Sequence, residues 1–177
     1  MSDDDRSEGQ RQAGEALVVL RARVDDHFDN ALRRTPDAMQ CRAGCDQCCH
    51  VRLSVFSIEA ARISRVLSEL SRREPDLRQK IRERAKDPQW AHSCPMLIDH
   101  RCAIYEERPL ICRSHGLPVA HDGETHWCEL NFTQVAPPAE SGLRLDAVNH
   151  PLSVMARMWD GLGERVELEE LALVLDG

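Results

Sequence analysis

Apolar residues recur at helical spacing along most of the chain. Between about residues 10 and 34 they return every three or four positions, which is typical of a helix that buries one face. Similar stripes follow Ser57, an expected helix N-cap, and Pro75, which suits a first helical turn. Pro151 is expected to open a fourth helix, and the acidic tail from Glu164 is in helical register as far as Leu175. The pattern predicts a mainly α fold, a small helical domain.

The helical periodicity is lost between residues 90 and 135, where His, Cys, Pro and Gly accumulate. Such a segment is too long to stay unordered in a compact domain unless something pins it, and bound metal would do so. Pro137-Pro138 and Gly142 then predict a linker or surface loop over 136–147. We therefore expect a disordered acidic N-terminus at 1–9, a helical cysteine-cluster metal-binding domain at 10–135, and a linker with a C-terminal helical extension at 136–177. That extension is expected to pack on the same domain.

Composition narrows the class of protein. A chain of 177 residues fits one domain, and its net charge of −7 argues against nucleic acid as a partner. The N-terminus has neither a basic nor an apolar region, and no apolar run approaches the length of a membrane span. We expect a cytoplasmic protein, where thiols stay reduced. Its 8 Cys then indicate metal or redox chemistry rather than disulfides.

The cysteines form one dense run and a dispersed second group. The run reads Cys41-x3-Cys45-x2-Cys48-Cys49, and two or three intervening residues let a tight turn aim two sulfurs at one ion. Adjacent cysteines are harder to place on a single ion, so the pair at 48 and 49 indicates two sites or one polynuclear cluster. The candidate metal ligands are Cys41, Cys45, Cys48, Cys49, Cys94, Cys102, Cys112 and Cys128.

Thiolate ligands restrict the metal without identifying it. Sets of four suit tetrahedral zinc and iron–sulfur clusters, whereas magnesium and calcium prefer oxygen. The spacing from Cys41 to Cys48 is also the one with which radical S-adenosylmethionine enzymes hold a cluster. This chain is too short and too helical for their α/β barrel, but the spacing favours an iron–sulfur cluster over zinc.

The arrangement resembles the YkgJ-type cysteine-cluster family. The resemblance is carried by Cys41 to Cys49, by Cys94-Pro-Met-Leu, and by the stretch from Cys102 to Arg113, which reads Cys-Ala-Ile-Tyr-Glu-Glu-Arg-Pro-Leu-Ile-Cys-Arg. The family has a zinc- or iron-chelating domain with a CxxCxxCC signature, although the first spacing here is three residues instead of two. The segments Ser114 to Pro118 and Trp127 to Phe132 are similar to one branch of it. The resemblance implies metal binding by the matching cysteines and little about activity.

Other polar residues near the cysteines are weaker candidates. Each of four histidines lies close to a cysteine in sequence and is expected to be at the surface or beside the ligands: His50, His92, His100 and His115. Arg108 and Arg113 either hydrogen-bond to cluster sulfurs or are ordinary surface arginines paired with a neighbouring glutamate. The ring of Tyr105 is expected in the core.

Three classes of function remain open. The first is a metal-binding protein whose iron–sulfur cluster or zinc is structural or electron-carrying. The second is a cluster-dependent enzyme or enzyme subunit, of the methylation or sulfur-transfer type. Because no Ser/His/Asp arrangement, phosphate loop or dinucleotide fingerprint occurs, catalytic residues cannot be assigned and an enzyme would act through the metal. The third is a structural zinc module that contacts a protein partner through the basic helices at 62–86, although that region also fits a solvated helix face.

Overall fold

The computed structural model describes residues 3–42 and 44–174, and in that part of the chain the fold is mainly α, as predicted. The α-helices are α1 (Asp3–Arg34), α2 (Ser57–Arg73), α3 (Pro75–Lys86), α4 (Leu110–Ser114), α5 (Leu145–Asp160) and α6 (Leu168–Leu173). The strands are short: β1 (Ser54–Phe56), β2 (Leu97–Ile98), β3 (Arg101–Cys102), β4 (Val119–His121), β5 (Glu124–His126), β6 (Leu143–Arg144) and β7 (Arg165–Glu167).

The long helix α1 contributes one face to the first hydrophobic cluster. Its stripe from Ala13 through Leu17 to Val24 is buried, and α5 and α4 pack against the helix. The helix begins at Asp3, so residues 3–9 of the segment that we expected to be disordered belong to α1, while residues 1 and 2 lie outside the described residues. A tertiary contact accompanies this extension, since Gln10 Nε2 donates a hydrogen bond to the Trp159 carbonyl oxygen of α5 at 2.8 Å.

Helices α2, α3 and α6 surround a second hydrophobic cluster. It contains Ile63, Leu67 and Ile81 together with Leu168 and Leu171. The guanidinium of Arg78 is buried in the same region and donates hydrogen bonds to the carbonyl oxygens of Ala172 and Val174, at 2.7 and 2.8 Å. A buried charge at this position satisfies the carbonyls left unpaired at the end of α6.

The strands connect distant parts of the chain. Strand β1 pairs antiparallel with β7, which brings the residues before α2 beside those before α6. Strands β2 and β3 form a hairpin through Asp99 and His100, both with positive φ, at 49° and 61°. Strand β4 lies between β5, antiparallel, and β6, parallel. The loop-rich region between α3 and α5 is therefore ordered by short strands as well as by α4.

Two expected helix starts are wrong. Helix α5 begins at Leu145 and contains Pro151 in its interior, because burial of Val148 and Leu152 against α1 extends the helix upstream of the proline. Ser57 is the first residue of α2 and not its N-cap, and its hydroxyl donates to the Asp160 carboxylate at 2.5 Å. In the tail the helix ends at Leu173, and Leu175 lies outside the described residues.

Candidate metal centre

The cysteine run forms two tight turns between α1 and β1. Gly44 has φ of +88°, a conformation that favours glycine, and Cys45 N donates to the Arg42 carbonyl oxygen at 3.0 Å. A 3₁₀ turn follows over Gln47–Cys49, in which Cys49 N donates to the Asp46 carbonyl oxygen at 2.8 Å. The turns bring four thiols of one short segment to the same region.

The segment that follows α3 joins this run through the backbone. Cys94 N donates to the Cys49 carbonyl oxygen at 2.7 Å, and Cys94 is buried. In the β2–β3 hairpin, Cys102 is paired with Leu97, three residues beyond Cys94. Cys49 and Cys102 pack with Cys94 on the second hydrophobic cluster. Tertiary structure thus brings these three cysteines to one hydrophobic cluster.

Helix α4 supplies Cys112, and a buried carboxylate fixes the start of that helix. Oε1 of Glu59 in α2 accepts a hydrogen bond from Leu110 N at 2.8 Å, and Glu59 is itself buried. Burial raises the pKa of Glu59, and the hydrogen bond from Leu110 opposes that rise. Glu59 had no signal in the sequence, because its role depends on where α2 packs.

Four thiols, which we term the inner cysteines, interact electrostatically as one set: Cys48, Cys94, Cys102 and Cys112. Burial raises the pKa of Cys94 to about 11, and the negative charges of Cys102 and Cys48 add to the rise. Burial likewise raises the pKa of Cys112 and of Cys102, and Cys48 adds to the rise in both. For Cys48 a hydrogen bond with the Cys49 thiol is the largest cause of the raised pKa, followed by burial. These shared causes place the four thiols within electrostatic range of one another in a poorly solvated part of the fold.

The remaining thiols, apart from Cys49, form a second set, which we term the outer cysteines: Cys41, Cys45 and Cys128. Burial raises the pKa of Cys41, a hydrogen bond from Asn131 lowers it, and the charges of Cys45 and Cys128 raise it further. Cys45 is exposed, whereas Cys41 and Cys128 are partly buried. Cys48 also acts on Cys41, so the two sets are neighbours. The vicinal pair lies where they meet.

The two arginines near the thiols have different surroundings. Arg113 is buried and pairs with Asp25 of α1 at 2.5 Å, while its Nε donates to the Arg108 carbonyl oxygen. Arg108 lies 3.9 Å from the centre of the Tyr105 ring, and its charge lowers the pKa of Cys48 and Cys102. Tyr105 is 56% exposed, so the expectation of a core position is wrong, and its ring stacks on the Arg108 guanidinium. Arg113 therefore fixes the loop, and the charge of Arg108 acts on the thiols.

The histidines near the cysteines in sequence either contact a carboxylate or are exposed to solvent. His100 Nδ1 lies 2.7 Å from Asp46 Oδ2, and His50 Nε2 lies 3.6 Å from Asp46 Oδ1. His92 and His115 are exposed. Asp46, which the sequence did not single out, therefore ties the cysteine run to the β2–β3 turn.

The cysteine thiols fit a thiophilic metal, and an unpaired buried donor near them supports this. Arg108 Nε is buried and has no hydrogen-bond partner among the described residues, and the charge of the same side chain acts on Cys48 and Cys102. Thiolate or sulfide sulfur would accept from it. Across the part of the chain that the structure describes, no three or more His, Cys, Asp or Glu side chains are already set around a common metal position.

Comparison with known families identifies the chain. The model of the family CxxCxxCC, described as a putative zinc- or iron-chelating domain, matches residues 40–131. The chain belongs to this family. The CxxCxxCC match contains all eight cysteines and supports metal binding, in agreement with the resemblance found in the sequence. No curated protein and no solved structure matches the chain. Within the described ranges, no helix is both long enough and apolar enough to cross a membrane.

Proposed function

We propose that this CxxCxxCC protein holds an iron–sulfur cluster through its cysteine thiolates, with a structural or electron-carrying role. The observation that carries the proposal is the electrostatic coupling of the inner cysteines, Cys48, Cys94, Cys102 and Cys112, which come from three separate segments. Burial raises the pKa of all four thiols, and the charges of neighbouring cysteines raise the pKa of Cys94, Cys102 and Cys112 further. Four thiolates in this space are unfavourable by themselves, and a bound cation reverses that balance.

The outer cysteines and Cys49 complete the proposed ligand set of eight. Cys45 and Cys128 both act on Cys41, and Cys49 shares a hydrogen bond with Cys48. A vicinal pair at the boundary between two thiol sets supports two neighbouring metal sites, or one polynuclear cluster reached from both sides. Cys48 then belongs to the inner side, and Cys49 lies beside it.

Iron–sulfur is preferred to zinc for two reasons. The Cys41-x3-Cys45-x2-Cys48 spacing is one that proteins use for clusters, and the unpaired Arg108 Nε offers a hydrogen bond of the kind that stabilises cluster sulfurs. Zinc bound by the same thiolates is the alternative, and in that case the role would be structural. Cysteines can serve as metal ligands only while they stay reduced, and the cytoplasm keeps thiols reduced. We therefore propose that the protein is cytoplasmic.

Anaerobic purification tests the proposal directly. We expect a coloured protein with iron and acid-labile sulfide in stoichiometric amounts, and Cys112→Ser should lose most of this metal. Ile111→Ser is the matched control, because it makes the same polar replacement at an exposed position of α4. A colourless protein with stoichiometric zinc would show that the bound metal is zinc and not an iron–sulfur cluster. Protein that contains neither metal, or equal metal loss in both variants, would contradict the proposal.

A protein partner at the basic helices is a separate proposal. Arg62 pairs with Glu107, Arg78 is buried, and Arg84 lies over the Trp90 ring, so these three serve the fold. Arg65 and Arg72 of α2 are exposed and seven residues apart, hence on one side of the helix. An acidic partner would meet that side, and charge reversal at both positions would weaken its binding.

A further inference from the structure

The buried side chain of Asn131 connects three segments around Cys41. Asn131 is 1% exposed, and its Oδ1 accepts a hydrogen bond from Gln40 N at 2.7 Å. Its Nδ2 donates to the Gly116 carbonyl oxygen at 2.7 Å and lies 3.4 Å from Cys41 Sγ. The amide therefore joins the residue before the cysteine run to the loop after α4.

The two backbone partners fix the orientation of the amide. Gln40 N can only donate and the Gly116 carbonyl oxygen can only accept, so exchanging the oxygen and nitrogen of Asn131 would break both hydrogen bonds. One proton of Nδ2 is used by Gly116. The second proton is left for the sulfur of Cys41, a larger acceptor for which 3.4 Å is within reach.

Gly116 leaves the space that this sulfur occupies. Its φ is +98°, and a Cβ built on it would lie less than 3.0 Å from Cys41 Sγ and 3.3 Å from Asn131 Nδ2. Phe28 of α1 lies on the same side, 3.6 Å from that built Cβ. The Cys41 sulfur, the Asn131 amide and the Phe28 ring thus occupy the space into which a side chain at residue 116 would project.

The backbone after Asn131 is held in an uncommon conformation. Phe132 has φ of +54°, which a bulky residue rarely adopts, and its amide donates to the Ala38 carbonyl oxygen at 2.7 Å. Asn131 N donates to the Cys128 carbonyl oxygen at 2.9 Å. The turn that carries Cys128 is therefore locked to the residues that precede Cys41, and Asn131 is at its centre.

We propose that Asn131 is the positioning residue for Cys41: its amide donates an N–H···S hydrogen bond to the metal-bound thiolate, and Gly116 provides the room for it. This inference rests on the proposed metal-binding function and adds a specific partner to it. The hydrogen bond fixes the side-chain rotamer of Cys41 and spreads the thiolate charge, while the remaining lone pairs bind metal. Hydrogen-bond partners of this kind contribute about 10-fold to 100-fold to metal affinity.

Cobalt binding measures this contribution whichever metal is native, because Co²⁺ bound by thiolates absorbs through sulfur-to-metal charge transfer. The full chain is stripped of metal under argon and titrated with Co²⁺. We expect Asn131→Ala to weaken binding at least about 10-fold. In a Cys41→Ser background the same change should have little further effect, because a double-mutant cycle isolates interactions between the two side chains. Asn149→Ala, at an exposed position on α5, is the control.

A second variant covers the case in which Asn131→Ala does not fold. Gly116→Ala places a methyl group where the Cys41 sulfur lies, and we expect its Co²⁺ affinity to fall to that of Cys41→Ser. Gly123→Ala is the matched control, since Gly123 has φ of +82° but a Cβ there meets no atom within 4 Å. The difference between the two glycine variants therefore reports the contact with sulfur and not the backbone strain.

The outcomes separate this inference from the proposed function. Wild-type protein that binds no Co²⁺ and contains neither iron nor zinc after anaerobic purification would overturn the metal-binding function. Tight wild-type binding, with an equal loss from Asn131→Ala in the presence and absence of the Cys41 thiol, would overturn the positioning role alone. So would Gly116→Ala and Gly123→Ala variants with the same Co²⁺ affinity. A loss that disappears in the Cys41→Ser background supports the inference.

Discussion

Individual polar side chains decide how the thiols of this protein are presented. Arg108 brings a positive charge to Cys48 and Cys102, and Asn131 brings an amide proton to Cys41. Both groups are shielded from water in part or in whole, since Arg108 Nε is buried and Asn131 is 1% exposed. In a poorly solvated space each interaction is stronger than it would be at the surface.

Replacing Arg108 tests the charge beside the inner cysteines. We expect Arg108→Gln to weaken Co²⁺ binding by about 10-fold, because the charge that opposes the raised pKa of Cys102 and the buried Nε donor are both lost. Arg108→Lys, which keeps the charge, should recover part of the affinity. Arg101→Gln, at an exposed position of β3, serves as control. Unchanged binding by Arg108→Gln would refute a role for this arginine at the metal.

At the scale of elements, a short 3₁₀ turn anchors the segment between Cys102 and Cys112 to helices α1 and α2. Glu107 at its end accepts hydrogen bonds from Arg21 of α1 and from Arg62 of α2, at 2.5 and 2.9 Å. Burial would raise the pKa of Glu107, but the hydrogen bonds from Arg62 and Arg21 hold it below its ordinary value of 4.5. One carboxylate therefore joins two helices to the segment between Cys102 and Cys112.

The lowered pKa predicts how stability depends on pH. Because the folded protein favours ionised Glu107, its contribution is complete above the ordinary pKa of 4.5 and is lost as the pH falls through the lower folded value. We expect Glu107→Gln to reduce the free energy of unfolding by about 1–3 kcal/mol at pH 7 and by much less at pH 3. Urea unfolding at the two pH values measures this. Glu106→Gln, the exposed neighbour, should be nearly neutral, and an equal effect of both variants would contradict the assignment.

For the whole molecule, the cysteines lie between two hydrophobic clusters. Cys94 belongs to the second cluster, with Cys49 and Cys102 packed on it. Met39 and Phe132, which lie close to Cys41 and Cys128 in the chain, belong to the first cluster with α1 and α5. Metal bound across the two sets of thiols would therefore join the two halves of the core.

Metal removal should destabilise the cysteine-containing segments between the two hydrophobic clusters more than it destabilises the helices. We expect protein stripped of metal to melt at a lower temperature, and amide hydrogen exchange to rise over 41–50, 93–113 and 128–132. The contact of α1 with α5 should keep its protection, because it depends on buried apolar residues and not on thiols. Mass spectrometry of exchanged peptides measures both. Identical exchange with and without metal would show that metal does not contribute to folding.

The sequence by itself determined the helical class and the chemistry. Periodic apolar residues specify buried helix faces locally, and thiols at short spacing specify a thiophilic metal, so both could be predicted without coordinates. The CxxCxxCC family, to which the chain belongs, agrees with that chemistry. The start of α5 could not be predicted, because burial against α1 places Pro151 inside the helix.

Only the tertiary structure decided how the thiols are grouped. Cys48 acts electrostatically on Cys94, Cys102 and Cys112, and Cys45 and Cys128 act on Cys41, because a backbone hydrogen bond, a hairpin and helix α4 bring distant segments together. Asn131 and Gly116 gained their roles in the same way. Their partners lie far along the chain, and sequence spacing carries no information about which buried donor faces which sulfur.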